Sequence, residues 1–178
     1  MPSFGGVNMR FRVDRLPNGH RFPCSVRELK QLIKCLPPDD VRGIQSVRLS
    51  THKSRDDGVY LSDGRVELRW AIDSRGRHQI GRRPPSAATL GEWSRFGGTC
   101  VVESGIHYAF WADQKQLRRY VQFVLLHEIG HHVFARRGQR SYTKQQEEEF
   151  ADNYAEQYLP AEITPNQRLH RQATPASR

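Results

Sequence analysis

The stretch DQKQLRRYVQFVLLHEIGHHVFARRGQRSYTKQQEEEFADNYAEQYLP, residues 113–160, decides the fold of this chain, and it predicts two helices. The first helix begins at Asp113 and ends at Arg136-Arg137 with Gly138 just past it, and its apolar residues fall on nearly every face. A helix that is apolar all round is expected to be buried. The second helix begins near Thr143 and stops before Pro160. Because the linker between them is short, we expect an antiparallel helix pair.

The first helix carries the motif HEIGH at residues 127–131. His127 and His131 stand four residues apart, so both imidazoles project from one face at the separation that two ligands of a tetrahedral zinc ion need. Glu128 is rotated by about 100° from His127 on the helix. Its carboxylate can reach beside the ion without filling the coordination sphere, which is the place of a general base for a metal-bound water. The motif therefore predicts one zinc ion (Zn2+) per chain.

A zinc site needs a third protein ligand, and the second helix offers carboxylates for this role. Glu148 and Asp152 are four residues apart and share one face of that helix. We assign Glu148 as the third ligand and Asp152 as the acceptor of a hydrogen bond from the outer nitrogen of His127. Glu149 is the main rival of Glu148 and Glu147 is the weaker one, since an acidic first turn also stabilises a helix through its dipole.

The residues before the helix pair combine one helix with short strands. The predicted fold class is therefore α+β, with an N-terminal helix, a small mostly antiparallel sheet and then the packed helix pair. Ser25 and Glu28 form a capping box that opens the N-terminal helix, and turn signals predict two hairpins over 59–70 and 99–111. The remaining predicted segments are a basic N-terminal arm at 1–23, a single domain at 24–160 that contains the metal-binding helix pair at 113–160, a loop at 81–98 and a flexible tail at 161–178.

The formal net charge of +9 comes from 28 Lys and Arg against 19 Asp and Glu, and it suggests a nucleic acid or another polyanion as a partner. Residues 1–55 hold 11 basic against 4 acidic residues, whereas residues 113–159 hold 7 of each. The charge therefore bears on recognition rather than on the chemistry of the helix pair. No run of 18 apolar residues exists and no signal-peptide pattern opens the chain, so we expect a cytoplasmic protein without membrane contact.

The two C-terminal helices together resemble the gluzincin zinc metallopeptidases, and within them the ImmA/IrrE family. In that family a helix with HExxH is followed by a helix that reads roughly E-x-x-A-N/D-x-F-A-x-x-L-L-x-P. The resemblance covers residues 113–160, with Tyr154 in place of the usual Phe and Tyr158 within the Leu-Leu pair. The residues that fall in register are Ala151, Asp152, Tyr154, Ala155, Leu159 and Pro160. The resemblance implies an intracellular regulator that cleaves proteins such as transcriptional repressors.

We therefore expect a small intracellular zinc-dependent endopeptidase that hydrolyses a peptide bond of a regulatory protein through a zinc-activated water, with Glu128 as the catalytic proton acceptor. Residues 24–160 then form its metallopeptidase domain. Tyr154, Tyr158 and His107 are candidate donors to the oxyanion, and none is preferred. The hairpin at 99–111 is interpreted either as a strand that pairs with an extended substrate or as an ordinary part of the sheet.

Two other functions stay open from the sequence. One is a nucleic-acid-binding or partner-binding regulator whose zinc site is not catalytic. The other is a protein of a toxin system or mobile element that binds a partner through its N-terminal half. A run of basic side chains favours nucleic-acid contact through the N-terminal region: Arg10, Arg12, Arg15, Arg21, Arg27, Lys30 and Lys34.

Overall fold

The computed structural model describes residues 9–51, 57–138 and 142–161, and within them the α+β class is confirmed. The helices are α1 (Val26–Lys34), α2 (Pro38–Val41), α3 (Ala87–Arg95), α4 (Gln114–Arg136) and α5 (Lys144–Tyr158). The strands are β1 (Arg10–Val13), β2 (Ser46–Leu49), β3 (Gly58–Leu61), β4 (Arg65–Leu68), β5 (Arg77–Gly81), β6 (Gly98–Glu103) and β7 (Ile106–Trp111). Nearly all of the predicted tail, residues 162–178, lies outside the described residues.

The strands form two sheets rather than the single sheet that the sequence predicts. The first sheet has the order β1-β2-β4-β3, in which β1, β2 and β4 run parallel and β3 runs antiparallel to β4. The second sheet is antiparallel throughout, with the order β5-β7-β6. The two predicted hairpins are confirmed as β3-β4 and β6-β7. Within the described residues, β3 is an edge strand of the first sheet.

Helix α4 runs through the core of the protein. It packs against α5, α2, β3, β4 and β7, and this explains why its apolar residues fall on every face. Leu117, Tyr120, Leu125, Leu126 and Ile129 have no exposed surface. Although α4 has 23 residues, no helix in the described part of the chain combines the length and apolarity needed to cross a membrane.

Part of the predicted N-terminal arm is a strand instead. Strand β1 pairs in parallel with β2, and Phe11 lies opposite Val47. Phe11 packs against the hydrophobic core and carries the Lys30 ammonium 5.1 Å from its ring centroid. The alternate residues, Arg10 and Arg12, are exposed. Because a four-residue strand with two arginines has little apolar signal of its own, its pairing with β2 creates the strand.

The prediction of a loop over 81–98 is wrong where α3 forms. The Ser86 hydroxyl caps this helix by accepting a hydrogen bond from the Thr89 N–H at 3.1 Å. Trp93 is 1% exposed and packs edge-on against Trp70. The Gly, Pro and Ser content of this stretch weakens local helix propensity, and the burial of Trp93 overrides that preference.

Helices α4 and α5 approach each other most closely at Gly130. A Cβ atom added to Gly130 would lie 2.8 Å from Ala151 Cα and 3.2 Å from Ala151 Cβ, closer than non-bonded carbon atoms allow. Ala151 and Ala155 have no exposed surface. The short distance between the helices therefore requires a glycine at position 130 and small residues opposite it on α5.

We expect Gly130→Ala to lower the free energy of unfolding by about 1–3 kcal/mol, because overpacking outweighs the gain of about 1 kcal/mol in helix propensity. Gly91→Ala is the matched control, since no atom of the described residues lies within 4 Å of a Cβ at this position in α3. The control should stabilise the protein by up to about 1 kcal/mol. Denaturant unfolding measures both variants, and equal stabilisation by the two would contradict this account.

The imidazole of His78 is held inside the protein in its neutral form. The residue keeps some contact with solvent, but its ring lies on Trp70 with centroids 4.3 Å apart. Its Nδ1 lies 2.9 Å from the carbonyl oxygen of Ala71. Burial of the ring lowers the pKa of His78 from 6.5 to about 4, against the opposing effect of this hydrogen bond.

A histidine with a lowered pKa stabilises the fold above its unfolded pKa, and this stability is lost as the pH falls from 6.5 towards about 4. At pH 5 we expect a loss of about 1–2 kcal/mol relative to pH 7 from this group. His78→Gln keeps a donor for Ala71 but does not titrate, so its stability should depend less on pH in this range. Denaturant unfolding at both pH values measures the difference, and an identical pH dependence in the variant would contradict it.

Candidate metal centre

The two histidines of the HExxH motif meet on one face of α4. The ring centroids of His127 and His131 are 4.7 Å apart, and their Nε2 atoms are 3.0 Å apart. The two side chains are 18% and 13% exposed. Both imidazoles are therefore mostly buried, and their Nε2 atoms point to a common place.

The carboxylate of Glu148, on α5, forms a triangle with these two nitrogens. Its Oε2 lies 3.4 Å from His127 Nε2 and 3.6 Å from His131 Nε2. In a tetrahedral zinc site with bonds of about 2.0–2.1 Å, neighbouring ligand atoms are about 3.3–3.4 Å apart. The three measured distances lie around this value, and two imidazoles with one carboxylate are a donor set that zinc accepts. These three residues could hold one metal ion.

A carboxylate orients each imidazole through its outer nitrogen. His127 Nδ1 donates to Asp152 Oδ1 at 2.9 Å, and His131 Nδ1 donates to Glu147 Oε1 at 3.0 Å. With the hydrogen on Nδ1, the Nε2 lone pair of each ring faces the triangle. Asp152 makes the contact that its spacing from Glu148 predicts. The sequence offers Glu147 only as the weaker rival ligand, and its orienting contact was missed.

The third residue of the acidic run, Glu149, lies away from the triangle. It is exposed, and its Oε1 accepts a hydrogen bond from Gln145 Nε2 at 2.9 Å. Three consecutive side chains of a helix are spread over about 200°. The run therefore supplies an orienting group in Glu147, a candidate ligand in Glu148 and a solvent-facing group in Glu149.

The carboxylates around the two imidazoles favour one positive charge. Burial opposes protonation of His127, but its hydrogen bond to Asp152 and the charges of Glu128, Asp152 and Glu148 raise its pKa. Burial and the neighbouring His127 lower the pKa of His131. His127 is therefore protonated more readily than His131, and the carboxylates nearby suit a cation at the point that the rings share.

Strand β3 holds Glu128 beside the triangle. Glu128 is 7% exposed. A Cβ atom added to Gly58 of β3 would lie 2.7 Å from Glu128 Oε1 and equally close to Val124 Cγ1. Any side chain at Gly58 would collide with the carboxylate, so glycine permits this approach of strand and helix. Gly58 is a site residue that the sequence analysis missed, and its signal is a glycine at the start of a strand.

His132 follows His131 on α4 but faces away from the triangle, and it links α4 to β3 through a hydrogen bond. Tyr60 Oη donates to His132 Nδ1 at 3.1 Å, and His132 Nε2 donates to the carbonyl oxygen of Arg42 at 2.9 Å. The residue is 3% exposed. Burial lowers the pKa of His132, and one donated and one accepted hydrogen bond fit a neutral ring with its hydrogen on Nε2.

A cleft of about 470 Å³ opens over the triangle. Its walls are formed by β3, α3, α4 and the first turns of α5. The charged groups among the described lining residues, apart from the histidines, are Asp57, Glu92, Glu128, Glu147, Glu148 and Lys144. The cleft is therefore acidic, in contrast to the net charge of +9 for the whole chain.

The three candidate oxyanion donors lie elsewhere. Tyr154 Oη donates to Asp40 Oδ2 at 3.1 Å, Tyr158 packs on the Tyr154 ring with centroids 4.7 Å apart, and His107 lies in β7. Neither these three residues nor any residue of the hairpin at 99–111 belongs to the described lining of the cleft. The strand that lines it is β3.

Comparison with known proteins found no relative of this chain. No family model matches the chain, no curated protein matches its sequence, and no solved structure matches it. The function must therefore be argued from the geometry of the site.

Proposed function

We propose that the chain is a zinc-dependent endopeptidase of the gluzincin type that cuts a peptide bond in a regulatory protein. The observation that carries this proposal is the triangle of His127 Nε2, His131 Nε2 and Glu148 Oε2, with Glu128 beside it in an open cleft. Structural zinc sites are closed by four protein ligands, whereas catalytic sites use three and keep one position open. The described residues offer three ligands here.

Glu128 is the proton acceptor in this proposal. His127, His131 and Glu148 would hold the zinc ion, which would supply a Lewis acid for the scissile carbonyl and for the attacking water. Glu128 takes a proton from the attacking water and passes it to the leaving amine. Its packing against Gly58 restricts the carboxylate to few positions before substrate arrives. Asp152 and Glu147 hold both imidazoles in the tautomer whose Nε2 binds the metal.

Strand β3 supports a polypeptide as the substrate. Within the described residues it pairs with β4 on one side only, and Gly58, Val59 and Tyr60 line the cleft. An extended peptide can add to such an edge through main-chain hydrogen bonds. The resemblance of residues 113–160 to the ImmA/IrrE family supports a transcriptional repressor as the substrate and the cytoplasm as the setting.

Nucleic-acid contact is a second candidate function, and the exposed cations of β1 and α1 support it. These residues are Arg10, Arg12, Arg27, Lys30 and Lys34. None of them lines the cleft, whose charged groups are mainly acidic. A basic surface apart from the cleft is compatible with a peptidase that acts on a nucleic-acid-bound regulator.

Glu148→Ala should remove one of three ligands and lower the affinity for zinc by more than about a hundredfold. Glu147→Gln should lower it by about ten- to a hundredfold, because Glu147 orients His131 without touching the ion. Glu149→Ala is the matched control and should bind zinc as the wild type does. Zinc titration with a competing chelator measures all three affinities, and a larger loss in Glu149→Ala than in Glu148→Ala would refute the assigned ligand.

Glu128→Gln should keep the zinc affinity but lower kcat for peptide cleavage by about 10²–10⁴-fold, because the amide cannot accept the proton of the attacking water. Zinc content and cleavage of candidate regulatory proteins and derived peptides are measured on the same preparation. Retained metal with lost cleavage supports the proposal. Unchanged cleavage by Glu128→Gln would overturn the assigned role.

A further inference from the structure

The hydroxyl group of Tyr120 lies between two carboxyl groups at one end of the cleft. Tyr120 is fully buried in α4, about two turns before His127. Its Oη contacts Asp57 Oδ2 and, at 2.8 Å, Glu92 Oε1. Both carboxyl groups line the cleft. The three residues form a hydrogen-bonded chain whose two ends are accessible to a substrate.

Two ionised carboxylates at this hydroxyl would have to share a single hydrogen. A phenol has a single hydrogen to donate, so Tyr120 cannot fully serve two anions. Two carboxylates on one hydroxyl would place like charges about 5 Å apart, where each disfavours ionisation of the other. Asp57 Oδ2 also accepts a hydrogen bond from Trp93 Nε1 at 3.2 Å, and this second donor stabilises its charge. Glu92, without this second donor, is therefore the carboxyl group of the two that is protonated more readily.

The other groups that face Glu92 agree with this assignment. Burial raises the pKa of Glu92, and the negative charge of Asp152 on α5 adds to the rise. The Tyr120 hydroxyl, His127 and Arg95 act in the opposite direction without cancelling it. Glu92 therefore takes up a proton more readily than an ordinary glutamate, in the same cleft as the carboxylates of the candidate metal centre.

Side-chain hydrogen-bond donors for a substrate carbonyl are scarce among the described lining residues. Tyr60 already donates to His132, and the Thr89 hydroxyl pairs with the cap of α3. Lys144 is an exposed residue in the first turn of α5. A protonated Glu92 supplies the missing donor from the wall formed by α3.

We propose that Glu92, as a protonated carboxylic acid, donates a hydrogen bond to the carbonyl oxygen of the scissile peptide bond. This role rests on the proposed endopeptidase function, and it is the role for which Tyr154, Tyr158 and His107 are wrongly placed. A donor fixed in position before the reaction stabilises the negative charge that develops on this oxygen. Two carboxyl groups held in different protonation states can thus donate and accept hydrogens in one site.

The protonation of Glu92 is measured in the full chain, loaded with zinc and free of substrate. Carbon-13 NMR of labelled side-chain carboxyl groups, assigned with Glu92→Gln, follows ionisation as the pH is raised. Glu92 should stay protonated well above the pKa of about 4.3 of an ordinary glutamate. Asp57→Asn should lower the pH at which Glu92 ionises by about one unit or more, because the negative charge of Asp57 is removed. Ordinary titration of Glu92, or a proton held by Asp57 instead, would overturn the proposal.

The donor role is measured by peptide cleavage. Glu92→Ala should lower kcat by about a hundredfold or more, with zinc content and KM nearly unchanged. Glu92→Gln keeps a neutral donor, so it should keep most of kcat and lose the decline that the wild type shows as Glu92 ionises at high pH. Glu149→Ala and Glu149→Gln, at an exposed carboxylate away from the triangle, are the matched controls and should behave as the wild type.

The outcomes separate this inference from the proposed function. Equal losses in Glu92→Ala and Glu92→Gln, with an unchanged pH profile, would show a structural role and overturn the donor role alone. A loss in Lys144→Met, with both Glu92 variants fully active, would assign the donor to Lys144 and overturn it as well. If the zinc-loaded wild type cleaves no polypeptide, the endopeptidase function and the donor role fall together, and the NMR titration still decides whether Glu92 is protonated.

Discussion

The close approach of α4 and α5 at Gly130 and Ala151 is the constraint on which the candidate site depends. Gly130 directly precedes His131, and Ala151 lies between Glu148 and Asp152 in sequence, so the contact lies among the site residues themselves. A wider separation of the helices would carry Glu148 away from both imidazoles and break the hydrogen bond of Asp152. The site is thus defined by the distance between two helices, and neither helix forms it alone.

Local spacing is enough to predict the parts of the site that lie on a single helix. The four-residue separation of His127 and His131 fixes the distance between their rings before the fold is known, and Glu148 and Asp152 behave in the same way on α5. The choice among three consecutive glutamates depends on the rotation of α5 about its axis, which only packing against α4 sets. For this reason the contact of Glu147 with His131 was beyond the reach of the sequence.

The parts that escaped prediction come from segments far apart in the chain. Strand β1 is stabilised by its pairing with β2, and α3 is stabilised by the burial of Trp93 in the core. Both have weak local signals, so propensity could not reveal them. Gly58 and Glu92 become site residues only when β3 and α3 are placed against α4. Nothing near Glu92 in the sequence indicates that the hydroxyl of Tyr120 lies beside it.

Consecutive histidines of α4 connect the candidate metal centre to the edge strand. His131 faces the triangle, while His132 binds the hydroxyl of Tyr60 on β3. The position of β3 relative to the candidate ligands is therefore fixed at two contacts with α4. One is the hydrogen bond of Tyr60 to His132, next to His131, and the other is the close approach of Gly58 to Glu128. A peptide that pairs with β3 would share this fixed position. In the proposed endopeptidase, the backbone register of a bound peptide would set which carbonyl lies at the triangle. The cleavage position would then depend on the number of residues paired along β3 more than on the shape of any one side chain.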